Sequence, residues 1–162
     1  MRFTRFVVLA TATTAFSVGA SAQGVPAQKV VTLDMAQTMA QEAMATCRAN
    51  GYKVTVLVVD ALNMPKALLR DDGALASTTE MAKMKAYSTM LYNRPSGPAQ
   101  PLPPGTVAPP PTLAGTVNAQ GALPIKVGDA TIGAIAVSGA PGGDKDAVCA
   151  AAALAKVADK LK

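Results

Sequence analysis

The 162 residues carry 15 Lys and Arg against 10 Asp and Glu, a formal charge of +5, and include neither histidine nor tryptophan. Without imidazole the chain cannot build a histidine-ligated zinc or haem site, a Ser-His-Asp triad or a Cys-His pair. Its lysines are scattered and its aromatic residues few, which excludes a basic nucleic-acid footprint with stacking platforms.

Residues 1–22 read as an export signal. Arg2 and Arg5 precede an uncharged apolar run from Phe6 to Ala20, and Ala20-Ser21-Ala22 fits cleavage before Gln23. That run is short for a spanning helix and rich in Thr and Ala, and no other segment is long and apolar enough to span. Cleavage would send 140 residues to the periplasm or the exterior with a formal charge of +3, and would leave Tyr52, Tyr87 and Tyr92 as the aromatics. A chain of residues 23–162 has the length of one domain able to bury a core.

Thr32 can cap a first helix that ends before Gly51. Leu33, Ala36, Met39, Ala40, Ala43, Met44 and Cys47 recur along it at helical spacing, opposite Asp34, Gln37, Gln41 and Arg48. Lys53 to Val59 is apolar on both faces and predicts a central strand. After a turn over residues 60–64, Lys66 to Arg70 returns antiparallel, because so short a link cannot make a crossover. Ser77 and Glu80 have the spacing of a capping box, and the helix they open should bury Met81, Met84, Tyr87, Met90 and Leu91 before it ends near Asn93. Eight of the 12 prolines lie between Pro95 and Pro111. Residues 94–112 are therefore expected to be an exposed, extended spacer or flap inside the domain, with a proline-recognition ligand as the alternative.

Gly128-Asp129 supplies the glycine a type II′ turn requires, so Pro124 to Val127 and Ala130 to Ser138 should form a hairpin. Ile132, Ala134 and Ala136 on one face and Ile135 and Val137 on the other mark the second of these strands as covered on both sides. Gly139, Gly142 and Gly143 let the chain turn, and Asp144 or Asp146 can cap the helix that follows. That helix, Lys145 to Leu161, should bury Ala147, Ala151, Leu154, Ala158 and Leu161. The glycines lack the Gly-Lys-Ser/Thr of a phosphate-binding loop and read as a structural turn. Together the elements imply a central antiparallel sheet between helical layers.

The pieces VTLDMAQTMA, VTVLVVDA, LLRDDGA, KMKAYS, GALPIKVGDATIGAIAVSGA and GGDKDAVC, in this order, resemble the HbpS-like family, also called GlcG-like or haem-degrading. The family pattern is an opening Leu-Thr-Leu helix, an apolar strand ending in Asp, an Arg-x-Asp-Gly-Ala turn, a Lys-Ala helix and a Gly-x-Pro-Ile hairpin closed by Gly-Val-Ser-Gly. The resemblance runs from about Val31 to Lys162. It implies an α/β sandwich (α+β) with helices on both faces of an antiparallel sheet, assembly into homo-oligomers and, in some members, binding or degradation of haem. Other members sit in cobalamin or glycolate pathways. Secreted relatives carry His and Thr after the Gly-Ala turn, where this chain has Ser77 and Thr78, and Thr-Ala where it has Ser88 and Thr89. Asn63 stands where the pattern has Gly, and asparagine tolerates positive φ.

The resemblance marks Arg70, from the Arg-x-Asp-Gly-Ala turn, and Lys85, from the Lys-Ala helix, as contacts for an acidic group such as a propionate, with Tyr87 as a further ligand-binding residue. Structural roles compete for both cations: Arg70 can pair with Asp71, Asp72 or Asp60, and Lys85 can be a solvated helix residue. Haem bound here would draw an axial ligand from Tyr, Met, Cys or Lys. Tyr52, Tyr87, Tyr92 and the methionines of the second helix are available, and none is assigned. Secreted relatives also resemble the chain in having cysteines at the places of Cys47 and Cys149. A helical wheel puts Cys47 on an apolar face and Cys149 among Lys145, Lys156 and Lys160, so a disulfide requires a helix packed against that side, and a lysine-activated thiolate is the alternative. No Ser-His-Asp, Cys-His or metal-ligand cluster can be assembled, carboxylate acid-base catalysis stays open with no pair promoted by spacing, and any haem degradation would be chemistry of the bound iron.

These readings lead to an exported, oligomeric small-ligand-binding protein for haem, a related tetrapyrrole or another acidic ligand, with no nucleic-acid partner and no membrane span after cleavage. The alternatives are a non-catalytic accessory or structural oligomer whose ligand site has decayed, and an enzyme acting on a small organic acid with Lys85 or Asp60 in a polar role.

Overall fold

A strand whose two faces are both apolar is stable only inside a sheet covered on both sides, and Val54 to Val59 and Ile132 to Val137 occupy that position. The computed structural model describes residues 28–98 and 113–162. The expected export signal and residues 99–112 of the proline-rich segment lie outside the described residues. In chain order the elements are α1 (Leu33–Ala49), β1 (Thr55–Asp60), β2 (Pro65–Arg70), α2 (Ser77–Tyr92), β3 (Ala122–Val127), β4 (Ala130–Ser138), α3 (Gly143–Lys156) and a closing 3-10 turn (Ala158–Leu161). The sheet order is β2-β1-β4-β3 with every pair antiparallel, so the two apolar strands are the central ones.

Register assigns each face to its helices. Val56 pairs with Val137 and Val58 with Ile135, and these side chains pack with Met39, Ala43, Cys47, Ala150 and Ala153 of α1 and α3. The intervening Leu57 and Val59 pair with Ala136 and Ala134 and pack against Ala82 and Ala86 of α2. This is the α+β sandwich with helices on both faces of the sheet. Gly133 has a steric reason to be glycine in the middle of β4: a Cβ there would lie 2.2 Å from the Val59 carbonyl oxygen and 2.9 Å from Val31 Cγ2.

Thr32 caps α1 by accepting from Met35 N at 3.2 Å, and the buried face follows the expected spacing except at Leu33, which is exposed. Gly128 adopts φ 60° in the hairpin turn, and Asn63 adopts the same angle between β1 and β2.

Four local expectations are corrected. The Ser77–Glu80 capping box does not form. Ala76 stands at the N-cap in helical geometry with no side-chain cap, while Thr78 Oγ1 bonds to Thr55 Oγ1 at 2.7 Å and Glu80 pairs with Lys83. The methionine face of α2 is not its core face: Thr78, Ala82, Lys85, Ala86, Ser88 and Thr89 are buried, Met81, Met84, Tyr87 and Met90 are half-buried, and Leu91 is exposed. The sheet beneath α2 presents Leu57 and Val59 together with Ala122, Ala134 and Ala136, and the small and short polar side chains of α2 let the helix approach it closely. The seam of α3 is likewise rotated, with Asp146, Cys149, Ala150 and Ala153 buried in place of Ala147, Ala151 and Leu154. Asp144 and Asp146 both lie in the first turn of α3, but neither caps it; Gly142 occupies the N-cap.

The same rotation turns Cys149 inward onto α1. Cys47 and Cys149 form a disulfide with Cα atoms 5.6 Å apart, and both residues are buried.

Candidate functional site

The three residues implied as ligand contacts lie in three different environments. Lys85 points from α2 into the interior, where its ammonium donates to Asp146 Oδ2 at 2.7 Å and to the Val137 carbonyl at 2.9 Å. Both side chains of the pair are at most 4% exposed. Asp146 also accepts from Ala140 N at 2.9 Å. Burial pushes the Asp146 carboxyl above its ordinary range, and Lys85 opposes that shift. Gly121 admits the ammonium, since a Cβ there would stand 2.6 Å from Lys85 Nζ. Lys85 is therefore neither a solvated helix residue nor an open cation: it is a strut tying α2 to β4 and to the first turn of α3. Tyr87 is half-buried on α2, with its ring beside Gly115.

Arg70 is exposed at the end of edge strand β2. Its guanidinium donates to the Ala74 carbonyl, and it makes no carboxylate pair among the described residues. Two of the three acids expected to compete for it, Asp60 and Asp71, are engaged elsewhere. Asp60 Oδ1 accepts from Leu62 N and Met64 N across the β1–β2 turn, and Asp71 is held by Arg48, with Nε at 3.1 Å and Nη2 at 2.8 Å, and by Lys53 at 3.7 Å.

A groove of about 450 Å³ opens beside Arg70 where α1 crosses β2, lined by Gln41, Met44, Ala45, Arg48, Leu68, Leu69 and Arg70. Its volume lies within the usual range for small-ligand sites. Leu68 and Leu69 are 40% and 37% exposed, so the groove has apolar surface that a ligand could cover, with Arg48 and Arg70 among its lining residues. The groove depends on the fold, because α1 contributes Met44 and Arg48 and β2 contributes Leu68 to Arg70. Sequence reading placed Arg48 on the polar side of the first helix without linking it to Arg70. The available signal was its position one residue after the buried Cys47, at the end of α1 that reaches Asp71.

The Arg48–Asp71 pair has a pH signature. The hydrogen bonds from Arg48 hold the Asp71 carboxyl below its ordinary range. A depressed folded-state pKa contributes stability above the ordinary value of about 3.9 and loses it as pH falls through the depressed value. Wild type should thus lose stability more steeply as pH falls below about 4, and Asp71→Asn should flatten the melting-temperature profile there. Superimposable slopes for the two proteins would refute this.

Among the described residues no helix is long and apolar enough to cross a membrane, and no group of three or more His, Cys, Asp or Glu could hold a metal ion.

The model of the family described as "Haem degrading protein HbpS-like" matches residues 31–155. No curated protein matches significantly. A crystal structure of HbpS is similar at 29% identity and a TM-score of 0.70, over 85% of this chain and 97% of that one. Klebsiella pneumoniae ORFY gives 25% identity and a TM-score of 0.70 over 85% and 98% of the two chains. A PduOC structure with haem, at 19% identity and a TM-score of 0.66 over 79% and 95%, shares the fold.

Proposed function

Because the chain belongs to the HbpS-like family, whose model spans residues 31–155, we propose that it binds a flat, apolar, acidic small ligand of the haem type in the α1–β2 groove. The observation that carries the reading is the groove itself, lined by Leu68, Leu69, Met44 and Arg70, the last a residue with no carboxylate partner among the described residues. These residues fit the periphery of a tetrapyrrole: Arg70 suits a propionate, and the two leucines suit the ring edge. For the metal, the lining holds no histidine, tyrosine or cysteine, and Met44 is a core residue only 5% exposed, so the groove fits the periphery of a tetrapyrrole and assigns no donor to its iron. Bound haem would supply the redox chemistry. The protein would orient it through Arg70 and shield one edge from water with Leu68 and Leu69.

Haemin titration tests the reading. A saturable Soret shift in wild type, with a dissociation constant raised about tenfold by Arg70→Ala, is the expected result. A featureless titration with an unchanged melting temperature would favour the accessory reading, and turnover of an organic acid without haem would favour the enzyme.

Export belongs to the same proposal. It is supported by Arg2 and Arg5 ahead of the apolar run, by the Ala20-Ser21-Ala22 cleavage pattern, and by a disulfide of the kind that persists in oxidising compartments. The mature protein should begin at Gln23, and an intact mass that retains Met1 to Ala22 would refute cleavage. Assembly of copies is supported by exposed apolar residues along the β2 edge and its turn, Leu62, Met64, Leu68 and Leu69. Sedimentation at the mass of a single chain would exclude it.

A further inference from the structure

We propose that β2 pairs with β2 of a second copy of this chain, antiparallel and centred on Leu69, so that the four-stranded sheet of each copy continues into the other. The inference rests on the assembly of copies stated above and names its surface and register. β2 is an edge strand whose outer side pairs with no strand among the described residues, and its ladder with β1 shows which main-chain groups that side offers. Asp71 N donates to the Val54 carbonyl at 2.9 Å, and the register continues with Arg70 opposite Thr55, Leu69 opposite Val56 and Leu68 opposite Leu57. Hydrogen-bonded pairs alternate along an antiparallel ladder. Leu69, like Asp71, therefore bonds to β1, and the N–H and C=O groups of Leu68 and Arg70 point outward. The register shifts just before Ala67, which leaves Leu68 to Arg70 as the regular part of the edge.

Side chains decide how a second β2 can fit. With Leu68 on the two-fold axis, Lys66 falls opposite Arg70 of the second copy, and with Arg70 on the axis the two guanidiniums oppose each other. Like charges directly opposite are destabilising. With Leu69 on the axis, Leu68 of each copy exchanges both main-chain bonds with Arg70 of the other, Leu69 meets Leu69, and Lys66 comes opposite Asp72. Lys66 and Asp72 are exposed, and neither forms a salt bridge among the described residues. An edge lysine guards a strand against indiscriminate pairing; opposite Asp72 the same charge selects one partner. This axis also brings the turn after β2 of one copy beside the turn before β2 of the other, so the exposed Leu75 approaches the exposed Leu62 and Met64. Leu69 lines the α1–β2 groove, and pairing sets the two grooves side by side on one face of the sheet.

Cross-linking reads the register. Under mild oxidation Leu69→Cys should give a covalent dimer on a non-reducing gel, because opposed residues of a non-hydrogen-bonded pair stand about 4.5 Å apart, within disulfide range. Leu68→Cys should give none, since two residues of offset place it more than about 7 Å from its copy. Adding Lys66→Glu should cut the Leu69→Cys dimer about fivefold, and adding Asp72→Lys to both should restore it. Linking through Leu68→Cys, no linking through Leu69→Cys, or a yield indifferent to Lys66→Glu would overturn the proposal. If Leu69→Cys does not fold, sedimentation decides: Lys66→Glu should be lighter than wild type and regain its mass with Asp72→Lys, and an unchanged mass would overturn the pairing. An oligomer in which Leu69→Cys folds but stays unlinked would keep assembly and remove this edge, whereas wild type at the mass of a single chain would remove both.

Discussion

Lys85→Met should lower the free energy of unfolding by about 3–5 kcal/mol in a urea melt at neutral pH, the usual consequence of removing one partner from a buried ion pair. The substitution preserves most of the side-chain volume but strands Asp146, which is 3% exposed and faces the Val137–Ala140 backbone. Burial already raises the Asp146 carboxyl, and loss of Lys85 removes the principal influence opposing that rise. A carboxyl whose folded-state pKa is raised stabilises the fold below its unfolded pKa and loses that contribution as pH rises through the folded value. The variant's deficit should therefore be greatest at neutral and alkaline pH and shrink towards acid. Adding Asp146→Asn, which keeps an acceptor for Ala140 N, should restore at least half of the loss. A deficit under about 1 kcal/mol for Lys85→Met, or no recovery in the double variant, would show that the pair is not a strut.

Loss of the disulfide should have a similar effect. Cys47 and Cys149 are 102 residues apart in sequence, and by chain-entropy reasoning closing a loop of that length stabilises the fold by about 4–5 kcal/mol. The Cys47→Ala, Cys149→Ala variant should melt on the order of 10–20 °C lower than the oxidised protein. Because both cysteines are buried between α1 and α3, the folded protein should also resist mild reductant, and its thiols should become alkylatable only once it unfolds. Equal melting temperatures for wild type and the double variant would contradict the first expectation, and rapid alkylation of the folded protein under mild reductant would contradict the second.

Comparison of Lys85 with Arg70 shows how far residue patterns reach. Both came from one resemblance as contacts for the same acidic group, yet one lies inside the protein and the other at a sheet edge. Along a helix, Lys85 looks like any amphipathic lysine, because the acid that internalises it stands 61 residues away. Arg70 could be placed at a strand end from local pattern, but its partner in the groove wall, Met44, is on a helix that precedes two intervening turns. The misplaced stripes of α2 and α3 have the same origin. Hydrophobic spacing detects large side chains, whereas both helices bury alanines and short polar groups that such spacing does not single out.

By itself the amino-acid order determined the elements that local chemistry controls. Alternation and double-sided apolarity identified β1 and β4, Gly128-Asp129 made the hairpin, Thr32 started α1, and the series of short motifs indicated the family. Tertiary structure alone decided which face of α2 and α3 turns inward, that Lys85 is spent on Asp146, and that Asp71 holds Arg48. The division is physical: turns, caps and strand alternation act between residues a few positions apart, whereas packing complementarity and burial of charge depend on surfaces that exist only after distant segments meet.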